Sequence, residues 1–206
     1  MSDNEYLTQE QIAANFNQLE GLCERLGDRV PAIKFMLEEM GIRIATAPAS
    51  SRKAFHAAYP GGLVDHTLRV CKNALTLKKS FDLFDKLSNE SVIFSAIFHD
   101  FGKVGQPGPS GGDYYLVQDS DWHRQKLGQY YKTNEGIQFM SNVDHTIRIL
   151  IHYGIKASEE EYLAIRLNDG PYDEGNKKYG MREPTLAILI HMADRLACEM
   201  EKDLDY

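Results

Sequence analysis

The sequence has few cysteines and no long apolar run. Its three cysteines, Cys23, Cys71 and Cys198, are isolated, odd in number and form no CxxC pair. We therefore expect free thiols that fill the core, in a reducing cytoplasm. No apolar run approaches the roughly 20 residues that span a bilayer, and the longest candidate, residues 186–193, contains a histidine. The segment Met1–Glu5 is acidic and lacks a signal-peptide core, so we expect a cytoplasmic protein with no membrane partner.

Basic residues are also in the minority. The chain has 23 Lys and Arg against 30 Asp and Glu, a net charge of −7. A dedicated surface for duplex nucleic acid needs many phosphate-neutralising cations, so this balance argues against one. The charge balance is compatible with a local basic funnel that attracts a small anion. With 206 residues, 43% of them hydrophobic and 26% charged, the chain is typical of a globular protein rather than a disordered or low-complexity one.

The hydrophobic periodicity is mostly helical. Thr8 and Gln11 form a capping box at the start of the first amphipathic stretch. We expect an all-α fold, a single helical bundle with at most a short hairpin. Residues 1–44 are predicted to form an N-terminal helical appendage, and residues 45–206 the main domain.

Several local predictions bear on the site. Residues 45–62 read as a long irregular connection, and such connections are often functional. The segment Asp169–Glu174 is expected to be a solvated turn. Three helices are predicted with particular bounds: Pro31 to Glu39 with a stop at Gly41, Glu90 to about Gly102, and one that includes His123 to Tyr131.

Ionisable side chains recur on helix faces that are otherwise apolar. The pair His99-Asp100 follows the apolar segment Ile93–Phe98. A carboxylate in such a place must be paired, exposed or bound to a cation, because burying it alone costs several kcal/mol. One divalent metal would satisfy several such groups together, since imidazole and carboxylate are its usual ligands. The same pattern recurs at His66, His152 and Asp194.

Three motifs in the order GGLVDHT (61–67), FHDFGK (98–103) and HMADRL (191–196) resemble the HD-domain superfamily of metal-dependent phosphohydrolases. The resemblance covers about residues 55–200, and the loop 55–63 is most similar to the HD domains of bacterial 3′–5′ exoribonuclease-like proteins. It implies a helical fold in which a divalent metal is held by His66, His99, Asp100 and Asp194.

Some members of this superfamily hold two metals with two further histidines. Here His123 and His152 match those positions, and His145, on the same helical stripe as His152, is an alternative ligand. Tyr153 replaces a second histidine that many two-metal members have, and neither the GYP signature nor an oligonucleotide-binding domain is present. One or two divalent ions are implied, with Mn, Fe or Mg first and Ni, Co or Zn also compatible.

The implied activity is hydrolysis of a phosphoester bond in a nucleotide or related small substrate by a metal-activated water. Asp100 is expected to bridge two metals or to orient the water. Lys103, one turn further along, is expected to reach the phosphate as a point charge, or alternatively to cap a helix. The catalytic residues are thus Asp100 and Lys103. The expected substrate contacts are Lys103, Arg124, Lys126, Arg195 and His56.

Three alternatives remain open at this stage. The first is a 3′–5′ nuclease or phosphodiesterase that acts on short nucleic acid. The second is a mixed-valent di-iron oxygenase, and the third is a non-catalytic regulatory module of the same fold. His191 is expected to pack or to hydrogen-bond near the site rather than to bind metal, and the protein is compatible with an oligomer. The oxygenase would use six ligands: His66, His99, Asp100, His123, His152 and Asp194.

Overall fold

The computed structural model describes residues 7–202, so the acidic Met1–Glu5 segment and the last four residues of the predicted main domain lie outside it. The predicted all-α class is confirmed, because helices make up most of this part of the chain. No helix within it is both long and apolar enough to cross a bilayer. The α-helices are α1 (Gln9–Cys23), α2 (Val30–Thr46), α3 (Gly62–Ser80), α4 (Asn89–Phe98), α5 (Asp121–Leu127), α6 (Asn142–Tyr153), α7 (Glu159–Arg166) and α8 (Thr185–Lys202).

Two short strands form the only sheet between residues 7 and 202. Strand β1 (Tyr115–Val117) pairs antiparallel with β2 (Tyr131–Thr133), with Tyr115 opposite Thr133. The prediction allowed at most a short hairpin, and the strands found are this small pair, connected by residues 118–130, which include α5. The predicted helix through Tyr131 is wrong, because α5 ends at Leu127 and Gly128 follows in the left-handed conformation, with φ of 56°.

The N-terminal helices differ from the prediction in one respect. The capping box at Thr8 is present, but α2 continues past Gly41 to Thr46. Phe16 of α1 packs over this glycine, since a Cβ on Gly41 would lie 3.4 Å from Phe16 Cζ. Tertiary packing here outweighs the usual cost of glycine in a helix. The predicted boundary after residue 44 falls inside α2.

One hydrophobic core connects both ends of the described chain. Buried residues of α1 and α2 belong to the same cluster as those of α3, α4, α6, α7 and α8. Helix α4 is the most enclosed element, because every side chain from Val92 to Phe98 is buried. Helix α3 packs against both α4 and α8, and this arrangement brings residues distant in sequence to one place.

The predicted helix from Glu90 to Gly102 ends earlier than expected. Helix α4 stops at Phe98, Asp100 has φ of −118° and ψ of 9°, and residues Phe101–Val104 form a 3₁₀ turn. A Cβ on Gly102 would lie 1.9 Å from the backbone oxygen of Asn142. Only glycine permits this approach, which holds the turn against the start of α6.

Candidate metal centre

Four predicted metal ligands converge from three parts of the fold. Helix α3 supplies His66, the end of α4 supplies His99 and Asp100, and α8 supplies Asp194. His66 Nε2 lies 3.1 Å from Asp194 Oδ1, 3.4 Å from His99 Nε2 and 4.0 Å from Asp100 Oδ2. His99 Nε2 lies 3.6 Å from Asp100 Oδ2 and 3.8 Å from Asp194 Oδ1. Donors around one ion at about 2.0–2.2 Å are roughly 3.0–3.5 Å apart, so small adjustments bring His66, His99 and Asp194 onto a single cation, and Asp100 Oδ2 lies beside the two imidazoles.

Hydrogen bonds to the other ring nitrogens orient both imidazoles. His99 Nδ1 donates to the backbone oxygen of Ala96 at 2.8 Å. His66 Nδ1 donates to the carboxylate of Glu201, at 3.0 and 3.1 Å from its two oxygens. Because Nδ1 carries the proton in each ring, the Nε2 lone pairs are directed toward the common centre. Carboxylate and carbonyl partners of this kind are typical of metal-binding histidines.

Both carboxylates of the centre are held in the ionised form. Burial acts to raise the pKa of Asp100, but the charge of Lys103 and of the two histidines lowers it well below the usual range. Lys103 Nζ donates to Asp100 Oδ2, and Asn142 Nδ2 donates to Asp100 Oδ1 at 2.7 Å. Burial is likewise outweighed at Asp194, where the hydrogen bond from His66 lowers the pKa to about 2.

The electrostatics of the centre favour a cation. Burial acts to lower the pKa of His66, yet the hydrogen bonds to Asp194 and Glu201 and their negative charges raise it to about 10. His66 is completely buried, so this proton occupies a position where a positive charge is strongly stabilised. Two imidazoles and two ionised carboxylates are also the donor types of Mn, Fe and Zn sites. The residues therefore fit a divalent metal.

The structure does not bring His123 or His152 into this group. His123, on α5, has its Nδ1 2.8 Å from Ser120 Oγ. His152 is exposed on α6, and its Nε2 lies 4.0 Å from where a Cβ on Gly108 would be. Within residues 7–202, the groups of His, Cys, Asp or Glu close enough to share an ion are His66/His99/Asp194 and His56/His66/Cys198.

The two other histidines of the predicted region, His145 and His191, make packing or hydrogen-bonded contacts and do not belong to the ligand group. His145 is buried and packs edge-on against Tyr114, with ring centroids 5.5 Å apart. His191 Nδ1 lies 2.6 Å from the backbone oxygen of Asn168, whose side-chain amide donates to the backbone oxygen of His99 at 3.3 Å. His191 thus makes the hydrogen-bonded contact near the site that was expected of it.

A cavity of 610 Å³ opens beside the four ligands. Three of the predicted substrate contacts line it: His56, Lys103 and Arg195. The other two do not. Arg124 donates to the backbone oxygen of Gln118 and pairs with Asp121, and Lys126 is exposed on α5. Burial and the nearby cations Lys103 and His66 lower the pKa of His56 to about 3, so its imidazole is neutral.

Several residues of the site were missed at the sequence level. Glu201, on α8, lies two helical turns after Asp194 and so shares its face, a spacing that was available as a signal. Cys198, expected in the core, instead lines the cavity, as does Asp169 of the predicted solvated turn. Asn142 contacts Asp100 across 42 positions of sequence, and no local sequence pattern predicts that contact.

Comparisons with protein-family models, curated proteins and solved structures found no match to this chain. The geometry of the site is therefore the ground on which a function is proposed.

Proposed function

We propose that the protein is a metal-dependent phosphohydrolase that cleaves a phosphoester bond in a nucleotide or a related small phosphorylated substrate. The observation that carries this proposal is the convergence of His66, His99 and Asp194, with Asp100 beside the imidazoles, next to a cavity lined by Asp100, Asp194 and Lys103. This is the ligand set that the HD-domain resemblance implies. A divalent ion bound there would lower the pKa of a water molecule and neutralise charge on a phosphoryl oxygen.

Lys103 and Asp100 have complementary roles in this proposal. Both oxygens of Asp100 are held, one by Asn142 and the other by Lys103, so the carboxylate is fixed for orienting water. The side chain of Lys103 is 13% exposed, and its charge faces the cavity in which the phosphate would lie. A preorganised cation of this kind stabilises the negative charge that develops on the phosphoryl group.

The shape of the cavities favours a small substrate with a second binding group. A neighbouring cavity of 340 Å³ shares Lys103 and Tyr115 with the larger one and is also lined by Arg43 and Tyr131. A phosphate beside Lys103 would leave a nucleoside free to extend toward the two tyrosines, whose rings bind a base by stacking. The overall charge of −7 favours a mononucleotide over a long polyanion. A short oligonucleotide cut at its 3′ end is the alternative substrate.

The oxygenase alternative receives less support from the geometry. It needs six ligands, and His123 and His152 lie away from the other four. A regulatory module without catalysis would not need the ionised Asp100 and the cation Lys103 at a solvent-accessible cavity. Hydrolysis is the proposal that uses all of these features.

A substrate screen tests the proposal. Purified protein with Mn²⁺ or Mg²⁺ is incubated with nucleotides, cyclic dinucleotides and short RNA, and phosphate or nucleotide products are quantified. We expect turnover of at least one small nucleotide. In His99→Ala and Asp100→Ala the turnover should fall by more than about 100-fold, and the bound metal should be lost.

His123→Ala is the matched control, because this histidine lies in α5 outside the ligand group. It should keep full metal content and activity. Absence of products from every substrate, or unchanged metal content in His99→Ala and Asp100→Ala, would contradict the proposal.

A further inference from the structure

Two exposed aromatic side chains line the larger cavity outside the ligand group. Phe55 is 51% exposed and Tyr172 is 79% exposed, and both line the cavity together with the cations Arg195 and Lys202. Aromatic rings combined with cations are the kind of surface that binds nucleotides in single strands, because every base has a π-face that stacks on an aromatic ring. We call Phe55 and Tyr172 the rim aromatics.

The loop that carries Phe55 is fixed on both sides of this residue. Before it, Lys53 N donates to the backbone oxygen of Gly128 at 2.9 Å. After it, the backbone oxygen of His56 accepts from Ser50 Oγ at 2.6 Å. The Phe55 ring is therefore presented to the cavity by a short segment that has little freedom to move.

The turn that carries Tyr172 is docked on α8. Tyr172 ends the 3₁₀ turn Gly170–Tyr172. Gly170 has φ of 58°, and a Cβ there would lie 2.5 Å from His191 Cε1, so a side chain at this position would be strained. Asn176 Nδ2 donates to the Gly170 backbone oxygen at 3.0 Å. Because both rim aromatics are held in place before a ligand arrives, a base that stacks on them orders few groups of the protein.

A phosphate beside Lys103 has space on two sides. Lys103 and Tyr115 line both the larger cavity and the neighbouring one of 340 Å³. One side leads to Tyr131 in the smaller cavity, and the other leads to the rim aromatics in the larger one. A phosphomonoester carries one nucleoside and occupies one side, whereas a phosphodiester carries two nucleosides and occupies both.

The charges of the larger cavity suit a ligand with few phosphates. Its lining includes three cations and three carboxylates, which are Lys103, Arg195, Lys202, Asp100, Asp169 and Asp194. These charges balance, and the divalent ion of the proposed function would add two positive charges. Such a site attracts a small anion and offers no continuous basic track to a long strand.

We propose that the rim aromatics form a second nucleobase subsite, so that the substrate class is a dinucleoside phosphodiester with one base on each side of the phosphate. The position of the phosphate rests on the proposed function, whereas base binding at the rim does not. In the hydrolysis, the oxygen of water bonds to phosphorus and the bond from phosphorus to one ribose oxygen breaks. One proton of the water ends on that ribose oxygen and the other goes to solvent, which gives a nucleotide and a nucleoside.

An uncharged probe tests the subsite separately from the metal and from cleavage. The probe is two adenosines joined by a methylphosphonate, a link that carries no charge and resists hydrolysis, and adenosine is the reference with one base. Equilibrium dialysis of the full chain in EDTA measures both affinities. We expect the probe to bind the wild type about 5-fold tighter than adenosine or more. Phe55→Ala and Tyr172→Ala should each weaken binding of the probe by about 5–100-fold, the usual contribution of stacking per base.

Phe139→Ala is the matched control, because Phe139 is also 79% exposed but lines neither cavity. It should leave the affinity for the probe unchanged, and circular dichroism establishes that each variant is folded. A probe that binds no tighter than adenosine, or that keeps its affinity in either Phe55→Ala or Tyr172→Ala, would overturn the subsite. Binding of the probe without turnover of any substrate in the screen would support the subsite and contradict the phosphohydrolase proposal, so the two failures are distinguishable.

Discussion

At the scale of single residues, Glu201 shows how a buried charge controls its neighbour. Its carboxylate is completely buried and accepts hydrogen bonds from His66 and from Arg69, the latter at 3.0 Å. It touches neither of the cavities described above, so it acts through His66. We assign it the role of a positioning residue that fixes the His66 tautomer.

Glu201→Gln should therefore weaken Mn²⁺ binding by about 10–100-fold, since loss of such a partner typically has this effect. Calorimetric titration measures the change. Glu199→Gln is the matched control, because Glu199 is exposed on the same helix and pairs only with Arg195 and Lys202 among the described side chains. Equal affinities in the wild type and Glu201→Gln would contradict the assignment.

The pH dependence of Mn²⁺ affinity in the wild type and in Glu201→Gln gives a second test. The pKa of His66 is raised to about 10, so below that pH an incoming ion displaces a proton and its affinity rises with pH. Glu201→Gln removes one of the charges that raise this pKa. The rise in affinity should then level off at a lower pH, whereas a purely structural defect would leave the pH profile parallel to that of the wild type.

At the scale of elements, the turn after α4 depends on one close approach. Gly102 N donates to Thr146 Oγ1 at 2.7 Å, and the position of its missing Cβ is 1.9 Å from the Asn142 backbone oxygen. The turn and α6 thus contact each other directly, and the contact places Asn142 against Asp100. Neither element can shift without moving the carboxylate.

Gly102→Ala should lower the free energy of unfolding by about 1–3 kcal/mol, the usual effect of overpacking, and should reduce Mn²⁺ affinity as well. Gly21→Ala is the matched control. Gly21 is exposed and a Cβ there meets nothing within 4 Å, so the change should be neutral or stabilising by up to about 1 kcal/mol. Urea denaturation measures both. A Gly102→Ala protein as stable as the wild type would disprove the close approach.

Local signals in the sequence predicted most of the helices and part of the candidate site, and they missed the features that depend on tertiary contacts. Hydrophobic periodicity and caps located most helices, and the motifs around His66 and His99 identified groups that do converge. The missed features depend on contacts between distant segments: α2 continues through Gly41 because Phe16 packs there. Tyr131 joins a strand because Val117 is its partner. His123 was assigned by resemblance alone, and His152 by resemblance and by its place on an apolar helix face. Their separation from the centre follows from the placement of α5 and α6.

At the scale of the whole molecule, the predicted ion would link elements that share one core. Helices α3, α4 and α8 carry the ligands, and their apolar faces belong to the cluster that α1 and α2 also enter. An ion that binds only the folded chain stabilises it by mass action, by about 2.7 kcal/mol at a hundredfold excess over Kd.

Removal of the ion should therefore lower the midpoint of thermal unfolding by about 5–10 °C for a chain of this size. Differential scanning calorimetry with EDTA and with added Mn²⁺ measures the shift. His99→Ala should show no such shift, because it lacks one of the four ligands. An unchanged midpoint of the wild type in EDTA and in excess Mn²⁺ would count against a metal in this position.

Helix α8 follows every other ligand-bearing element along the chain, and it provides Asp194 and Glu201. During synthesis the ribosome would release His66 and His99 long before these partners exist. The proposed metal centre would be complete only after α8 has docked on α3, so the ion would bind after α8 has been made. Under the proposed function, the identity of the ion would then depend on the metals available after α8 has folded, and not on encounters earlier in synthesis.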